Sequence, residues 1–403
     1  NNANISLDTS TITVTDAATL VNANAINNFT TGQVTLNSVE DTYSNIQSIK
    51  SIADGEVNMG AAAVKVTNNV TKTEVDDLRT DTTGDITLTS LTEDKADLAT
   101  INGFSDVILS TANITVTDNV DKSEADTIDA YSNTSGTVTL TSITDTVANV
   151  TAVKNNANIS LATSAITVTD AATLVNANAI NNFTTAQVTL QKVEDTVSNI
   201  TSIDGLTTSE VSMTAAAVTV TDAATLANAN AINNFTTGQV TLQKVEDTVS
   251  NITSIDAIDS NDVSMGAAAI TVTNTASLSD ATTLNGFTTG KVTLASVMDT
   301  VSNITAIDAI DSNDVSMGSA GITVTDVASL SDATTLNDFT TGKVTLNSVE
   351  DTYAKIQDIK SIADSEVDMG AAAVKVTGNV TKTEVDDLRT DTTGNITLTS
   401  LTE

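Results

Sequence analysis

Short stretches in which aliphatic residues alternate with threonine recur along the whole chain. The pattern Ile-Thr-Val-Thr, or a close variant of it, begins at Ile12, Val64, Ile114, Ile166, Val218, Ile270, Ile322 and Val374. Alternation of period two in Val, Ile and Thr is typical of a β-strand with one buried face. Successive starts lie 52 residues apart, apart from one step of 50 between Val64 and Ile114. We therefore predict one continuous array of about eight 52-residue repeats over residues 1–403.

Each repeat contains two similar halves. The first half carries the Val-Thr-Val-Thr strand, as at residues 218–221, and the second half carries Val-Thr-Leu, as at residues 240–242. In both halves the strand is followed by an acidic residue and then by apolar residues at helical spacing. A single coil of about 26 residues cannot bury its apolar face, whereas stacked coils share a continuous core. The predicted fold class is a repeat solenoid, β-rich and similar to a parallel β-solenoid, with short N-capped helical turns, about 26 residues per coil and two coils per 52-residue repeat.

The composition excludes several kinds of site. The chain has no His, Cys, Pro or Trp and a formal net charge of −35, with 51 acidic against 16 basic residues. The absence of Cys and His removes disulfides, thiolate metal sites and the commonest general base. The acidic excess argues against nucleic acid as a partner, and the apolar windows are too short for membrane insertion. Since nearly every residue has counterparts in other repeats, no unique catalytic constellation is visible and we expect no enzymatic activity.

An acidic residue follows most of the strand patterns, and the aligned positions are called here the acidic column. Two interpretations of the acidic column remain open. Asp before a helical segment is typical of a helix N-cap, whereas stacked carboxylates are also suited to calcium. Asn68, Asn274 and Gly378 stand at three of these positions and Glu93 precedes Asp94, which favours caps because Asn and Gly are accepted there. No cofactor is expected to be required, and calcium is the one candidate ligand. The predicted structural caps are Asp16, Asp41, Asp118, Asp145, Asp170, Asp195, Asp222, Asp247, Asp299, Asp326 and Asp351.

A second acidic cluster occurs in two consecutive repeats. The sequence Asp-Ala-Ile-Asp-Ser-Asn-Asp loosely resembles a cation-binding loop, but it lacks the glycine and the final Glu of an EF-hand. A solvated turn between coils is the favoured interpretation. The calcium candidates in this cluster are Asp256, Asp259, Asp262, Asp308, Asp311 and Asp314.

Longer blocks of sequence also repeat. Residues 36–93 and 346–403 match at all but seven of 58 positions, and none of the seven differences replaces a Val, Ile or Leu. A super-repeat of six units therefore overlies the 52-residue repeat. Solenoids normally carry polar terminal caps, and neither end of this sequence resembles one. We expect that the chain is an excerpt of a longer array, or that its ends stack on further copies.

The phrases Ile-Thr-Asp-Thr-Val-Ala-Asn-Val (residues 143–150), Val-Glu-Asp-Thr-Val-Ser-Asn-Ile and Ile-Thr-Val-Thr-Asp-Ala-Ala-Thr-Leu carry a resemblance to a family. They resemble the tandem repeats of giant secreted cell-surface proteins of bacteria, including cyanobacteria, among them adhesins, surface-layer proteins and extracellular filaments. The resemblance covers the whole chain. It implies an extracellular or cell-surface location and a structural role.

These observations lead to one leading functional hypothesis and one alternative. The leading hypothesis is a structural extracellular protein, the building block of a surface filament, sheath, surface layer or adhesin stalk. Its partners would be further repeats of the same chain or other copies in a homopolymer. The alternative is a solenoid that binds glycan, ice or cations through its Thr- and Asp-bearing face.

Overall fold

The computed structural model describes residues 5–53, 55–132, 135–206, 210–363 and 365–402. The chain divides into two compact units, residues 1–191 with 204–212 and residues 192–203 with 213–403. Strands and helices alternate in both units in the same order, so each unit is built from the same 52-residue repeat. Among the described residues, no helix has the length and apolar character needed to span a membrane.

One long strand belongs to each coil. The long strands are β1 (Ile12–Ala18), β2 (Val34–Asp41), β4 (Ala63–Val70), β5 (Ile86–Glu93), β7 (Asn113–Val120), β8 (Val138–Asp145), β10 (Ala165–Ala172), β11 (Val188–Asp195), β13 (Ala217–Ala224), β14 (Val240–Asp247), β16 (Ala269–Ala276), β17 (Val292–Asp299), β19 (Gly321–Ala328), β20 (Val344–Asp351), β22 (Ala373–Thr381) and β23 (Ile396–Thr402). Two-residue strands precede most of the first-half long strands: β3 (Val57–Asn58), β6 (Val107–Ile108), β9 (Ile159–Ser160), β12 (Val211–Ser212), β15 (Val263–Ser264), β18 (Val315–Ser316) and β21 (Val367–Asp368).

A short helix follows each long strand from β1 to β22. The helices are α1 (Leu20–Asn27), α2 (Tyr43–Lys50), α3 (Lys72–Asp81), α4 (Lys95–Asn102), α5 (Lys122–Ser132), α6 (Val147–Asn155), α7 (Leu174–Asn181), α8 (Val197–Asp204), α9 (Leu226–Asn233), α10 (Val249–Asp256), α11 (Leu278–Asn285), α12 (Val301–Asp308), α13 (Leu330–Asp338), α14 (Tyr353–Ser361) and α15 (Lys382–Asp391). Isolated helices of this length are marginal in water. Packing against the strands must therefore supply most of their stability.

Long strands of consecutive coils pair in parallel. In β13 and β14, Val218 lies beside Val240 and Thr219 beside Thr241, so that aliphatic residues pair with aliphatic ones and Thr with Thr. The first residues of β14 pair with the short strand β15, and its last four residues pair with β16. This parallel arrangement, with about 26 residues per coil, confirms the predicted repeat solenoid.

A narrow aliphatic core runs between the strands and the helices. Val218, Leu242, Ile252 and Ile255 are at most 1% exposed, and their counterparts in the other interior repeats are buried in the same way. The alternation read from the sequence places Val and Ile inward, and each coil buries them only because its neighbours cover them. Burial of one such side chain contributes roughly 1.5–3 kcal/mol, and this contribution recurs in coil after coil.

Candidate functional site: the contact between neighbouring coils

The helix N-caps differ from those predicted. A Thr or Ser occupies the N-cap of most helices, such as Thr225 of α9, whose hydroxyl accepts a hydrogen bond from the Asn228 N–H at 3.3 Å. In α4 the N-cap is Asp94, as its position after Glu93 suggested. The prediction that each acidic residue of the column is the N-cap of the helix that follows it is therefore wrong. The second-half Asp residues immediately precede the capping Thr, and the first-half Asp residues precede the capping residue by three positions.

Most of these carboxylates instead bind the helix of the preceding coil. Asp222 Oδ1 accepts a hydrogen bond from the Val197 N–H at 2.8 Å, and Asp247 Oδ2 accepts one from the Leu226 N–H at 2.9 Å. Val197 and Leu226 are the first residues of their helices, whose N–H groups have no partner inside the helix. The same bond is formed by Asp41, Asp118, Asp145, Asp170, Asp299, Asp326 and Asp351.

Two positions of the column require separate description. Asp195 accepts hydrogen bonds from the Thr196 N–H and from the Asn199 side-chain amide, both at 2.8 Å. Asp16 lies exposed in the first described coil. The other Asp residues of the column form charge-assisted hydrogen bonds to the first N–H of a helix in the preceding coil. These bonds also place a negative charge at the positive end of that helix's dipole.

First-half and second-half positions differ in how much each carboxylate accepts. Asp222 is bonded to one backbone N–H of the preceding coil. Asp247 accepts three hydrogen bonds, because its Oδ1 also binds the Thr248 N–H and the Asn251 side-chain amide, both at 2.8 Å. An amide side chain has one acceptor oxygen, so it cannot accept hydrogen bonds on both sides as the Asp247 carboxylate does through Oδ1 and Oδ2. This explains why Asn occurs at first-half positions alone, where Asn274 Oδ1 accepts the Val249 N–H at 2.9 Å.

The hydrogen bonds lower the pKa of the second-half carboxyls. For Asp247, burial is the largest single effect and raises the pKa, but the bonds from Leu226, Asn251 and Thr248 together bring the pKa below its usual range. The pKa is lowered in the same way at Asp41, Asp145, Asp299 and Asp351. Because the folded pKa lies below the unfolded value of about 3.9, these groups stabilise the fold above that pH. Their contribution is lost as the pH falls through the folded pKa.

A second contact joins neighbouring coils at the corner before each second-half strand. Thr236 is only 6% exposed, and its hydroxyl donates to the Ala216 carbonyl at 2.6 Å and accepts from the Gly238 N–H at 2.9 Å. The next residue, Thr237, donates its backbone N–H to the Thr214 carbonyl at 2.7 Å. A Cβ on Gly238 would lie 2.3 Å from the Ala216 oxygen, so the two backbones approach closely here. Ala186 stands at the equivalent position of another repeat and donates to Thr184 in the same way, so the local spacing must be wider in that copy. The sequence marks this motif only as Thr-Thr-Gly, and nothing in the pattern indicated its partner.

The second acidic cluster forms turns. Asp259 Oδ1 accepts hydrogen bonds from the backbone and the side-chain amide of Asn261, both at 2.9 Å, and Asp311 binds Asn313 in the same way. Within the described ranges, no three acidic side chains are grouped so that they would hold a metal ion. Asp262 and Asp314 bond through their backbones to Asp259 and Asp311.

The remaining calcium candidates, Asp256 and Asp308, are the last residues of α10 and α12. Burial raises the pKa of both carboxyls and of Asp204, the last residue of α8. A negative charge is unfavourable at a helix C-terminus. Lys50 and Lys154 occupy the same position in other repeats.

We expect the first-half and second-half Asp residues of the acidic column to respond differently to substitution by Asn. Asp222→Asn should leave the free energy of unfolding nearly unchanged, because one acceptor is enough, whereas Asp222→Ala should lower it by about 1 kcal/mol. Asp247→Asn should be clearly destabilising, since the amide cannot accept all three bonds. Urea denaturation of the four single variants, including Asp247→Ala, measures the difference. Equal tolerance of Asn at both positions would contradict the assigned geometry.

Asp256→Lys should stabilise the protein at neutral pH. The substitution replaces an unfavourable charge at the C-terminus of α10 by a favourable one, a change of about 0.5–1 kcal/mol. Because the folded pKa of Asp256 is raised, its penalty is present above that pKa and is relieved as the carboxyl is protonated. Thermal unfolding of wild type and variant should therefore show a gain at pH 7 that shrinks as the pH is lowered. A gain that is constant with pH would rule out the ionised Asp256 as its source.

Comparisons of the chain with models of protein families, with curated proteins and with solved structures gave no match.

Proposed function

We propose that this chain is a structural protein of an extracellular assembly, a building block of a surface filament, sheath, surface layer or adhesin stalk that gains length by the stacking of coils. The single observation that carries this proposal is the recurrence of one coil-to-coil contact. The carboxylate bond to the preceding helix and the Thr-Thr corner return with nearly constant distances, as for Asp222 and Asp326, both at 2.8 Å.

A contact that recurs in coil after coil favours a role in building length over a role in binding a ligand. A binding or catalytic site needs side chains that differ from their surroundings, whereas here equivalent positions carry equivalent residues in successive repeats. Adding a further coil creates the same contacts again, so stability accumulates with length in a nearly one-dimensional manner.

The charge of the chain is consistent with this role. A net charge of −35 keeps such assemblies solvated and apart from one another. Divalent cations or low pH would reduce the repulsion and bring neighbouring assemblies together laterally. No specific calcium site is needed for that effect, since it follows from screening and neutralisation of many exposed carboxylates.

Immunogold electron microscopy of intact cells tests the proposal. Antibodies against the repeat should label elongated material at or beyond the cell surface, and cell fractionation should place the protein in the same fraction. Labelling confined to the cell interior, on particles without elongated form, would overturn the proposed function.

A further inference from the structure

Two cavities lie at the C-terminal ends of α10 and α12, in equivalent places of consecutive repeats. The first has a volume of about 130 Å³, and its lining includes Ile255, Asp256, Met265 and Phe287. The second has a volume of about 160 Å³ and is lined by the residues that stand 52 positions later in the chain. Both belong to the second compact unit. They are called here the Asp256 cavity and the Asp308 cavity.

Each cavity has an apolar base and an acidic mouth. In the Asp256 cavity, Ile255, Val263 and Met265 are at most 4% exposed. Phe287 is half-buried and Asp256 is exposed, so the carboxylate lies at the mouth. Cavities of about 150 Å³ with aliphatic and aromatic walls accept a ligand of the size of benzene. The Asp256 cavity therefore has room for an apolar group of that size, with a polar group beside the carboxylate.

The carboxylate at each mouth lacks a partner. Among the described residues, no donor or cation pairs with Asp256 or Asp308, and burial alone raises the pKa of both carboxyls. Their position adds a second cost, because the negative end of a helix dipole repels a negative charge. A cation bound at the mouth would relieve both costs.

The chain already holds one of its own cations between an aromatic ring and a carboxylate. The central carbon of the Arg79 guanidinium lies 3.7 Å from the centre of the Phe104 ring, and Arg79 Nε is 2.9 Å from Asp106 Oδ2. Both contacts favour a cation. The Asp256 cavity presents the same two groups, Phe287 and Asp256, and the described residues that line it include no Lys or Arg.

The same two positions carry other side chains elsewhere in the array. Lys50 stands where α10 has Asp256, and Asp81 stands where the cavity has Phe287. A second repeat has the same exchange, at Lys360 and Asp391. These repeats form the same strands and helices. The stacking of coils therefore does not require the pair of Asp and Phe, which leaves ligand binding as a reason for it.

We propose that the Asp256 and Asp308 cavities each bind an organic ammonium cation, whose apolar group, about the size of a benzene ring, fills the base while its ammonium group pairs with the carboxylate at the mouth. A lysine side chain of another protein would enter with its ammonium group first and bring the charge against the apolar base. A free amine therefore fits the cavity better. This binding activity is additional to the proposed structural role and does not depend on it.

NMR spectroscopy of methionine methyl groups, with benzylammonium as the probe, tests the proposal. Each cavity contains one of the six Met residues of the chain, Met265 or Met317. Titration of the full chain, labelled with ¹³C in its Met methyl groups, should shift these two resonances saturably through the ring current of the ligand. Met59 and Met369, from the repeats with Lys at the helix end, should not shift. Neither should Met298, which is 48% exposed on β17.

Two comparisons test the role of the carboxylate. Asp256→Asn should lower the affinity measured at Met265 about tenfold, as expected for the loss of a hydrogen bond between charged groups. The response of Met317 should be unchanged in this variant, which also shows that the variant is folded. Benzyl alcohol, a neutral molecule of similar size, should bind wild type about tenfold more weakly than benzylammonium.

Three results would overturn the proposal. The first is the absence of saturable shifts at Met265 and Met317. The second is equal binding of benzyl alcohol and benzylammonium, or an unchanged response of Met265 in Asp256→Asn, since the carboxylate would then have no part in binding. The third is an equal shift of Met59 and Met369, which would show that binding does not need the pair of Asp and Phe.

Discussion

Deleting one complete repeat, residues 218–269, should leave a protein that folds with nearly the stability of the parent. The cut joins Ala217 to Ile270, which occupy successive places in equivalent strands, so every later coil keeps its register. Deleting only residues 218–230 removes all but the first residue of β13 and the first five residues of α9, and places unlike segments opposite each other. Because a shift in register exposes the buried faces of the strands, the smaller deletion should be the more harmful, with a loss of several kcal/mol.

Circular dichroism and urea denaturation of the two deletion variants make the comparison. The 52-residue deletion should retain the far-ultraviolet spectrum per residue and a cooperative transition. The 13-residue deletion should lose both or unfold at much lower urea concentration. Equal tolerance of the two deletions would contradict a fold built from stacked coils of about 26 residues.

Ile252→Ala should lower the free energy of unfolding by about 2–5 kcal/mol, the range for truncating a buried isoleucine. Ile252 lies in α10, is 0% exposed and packs between that helix and the strands, so its truncation leaves a cavity in the core. Alanine is the better helix former by a few tenths of a kcal/mol, which offsets little of the loss.

Val175→Ala in α7 is the matched control, since Val175 is 75% exposed. This variant should lie within about 0.5 kcal/mol of wild type. Denaturation curves for the two variants, measured at the same pH and ionic strength, test whether the aliphatic residues at helical spacing form the core. A loss at Ile252 no larger than that at Val175 would place the core elsewhere.

The elements of this fold were predictable because local pattern and tertiary environment agree. Alternation of Val or Ile with Thr indicated the strands, and Val218 and Val220 are indeed buried while Thr219 lies on the other face. The helical spacing of Ile252 and Ile255 indicated a buried helix face in the same way. Recurrence at 52 residues then required that all copies make the same contacts.

The partners of the acidic residues were not predictable from the same pattern. Asp222 and Val197 are 25 residues apart, whereas Asp247 and Leu226 are 21 apart, and only the register of stacked coils brings each pair together. N-cap preferences describe a helix and its own flanking residues, so they assigned these carboxylates to the wrong helix. The restriction of Asn to first-half positions was the signal in the sequence that two kinds of site exist.

The sequence also left open whether the acidic column caps helices or binds calcium, because that choice depends on the register of the stacked coils as well. Stacked carboxylates repel one another unless hydrogen-bond donors or cations lie between them. For Asp247 the space holds backbone and amide N–H groups of residues 226, 248 and 251. These donors stabilise the ionised carboxylate without a metal ion.

X-ray diffraction from oriented native material tests the central claim most directly, namely that coils stacked along the fibre axis build an extracellular filament. Stacked parallel strands should give a strong reflection at about 4.8 Å along the fibre axis. Alternation of first and second halves should add a weaker one at about twice that spacing. Compact particles that do not orient, or a reflection of about 4.8 Å perpendicular to the fibre axis, would contradict it.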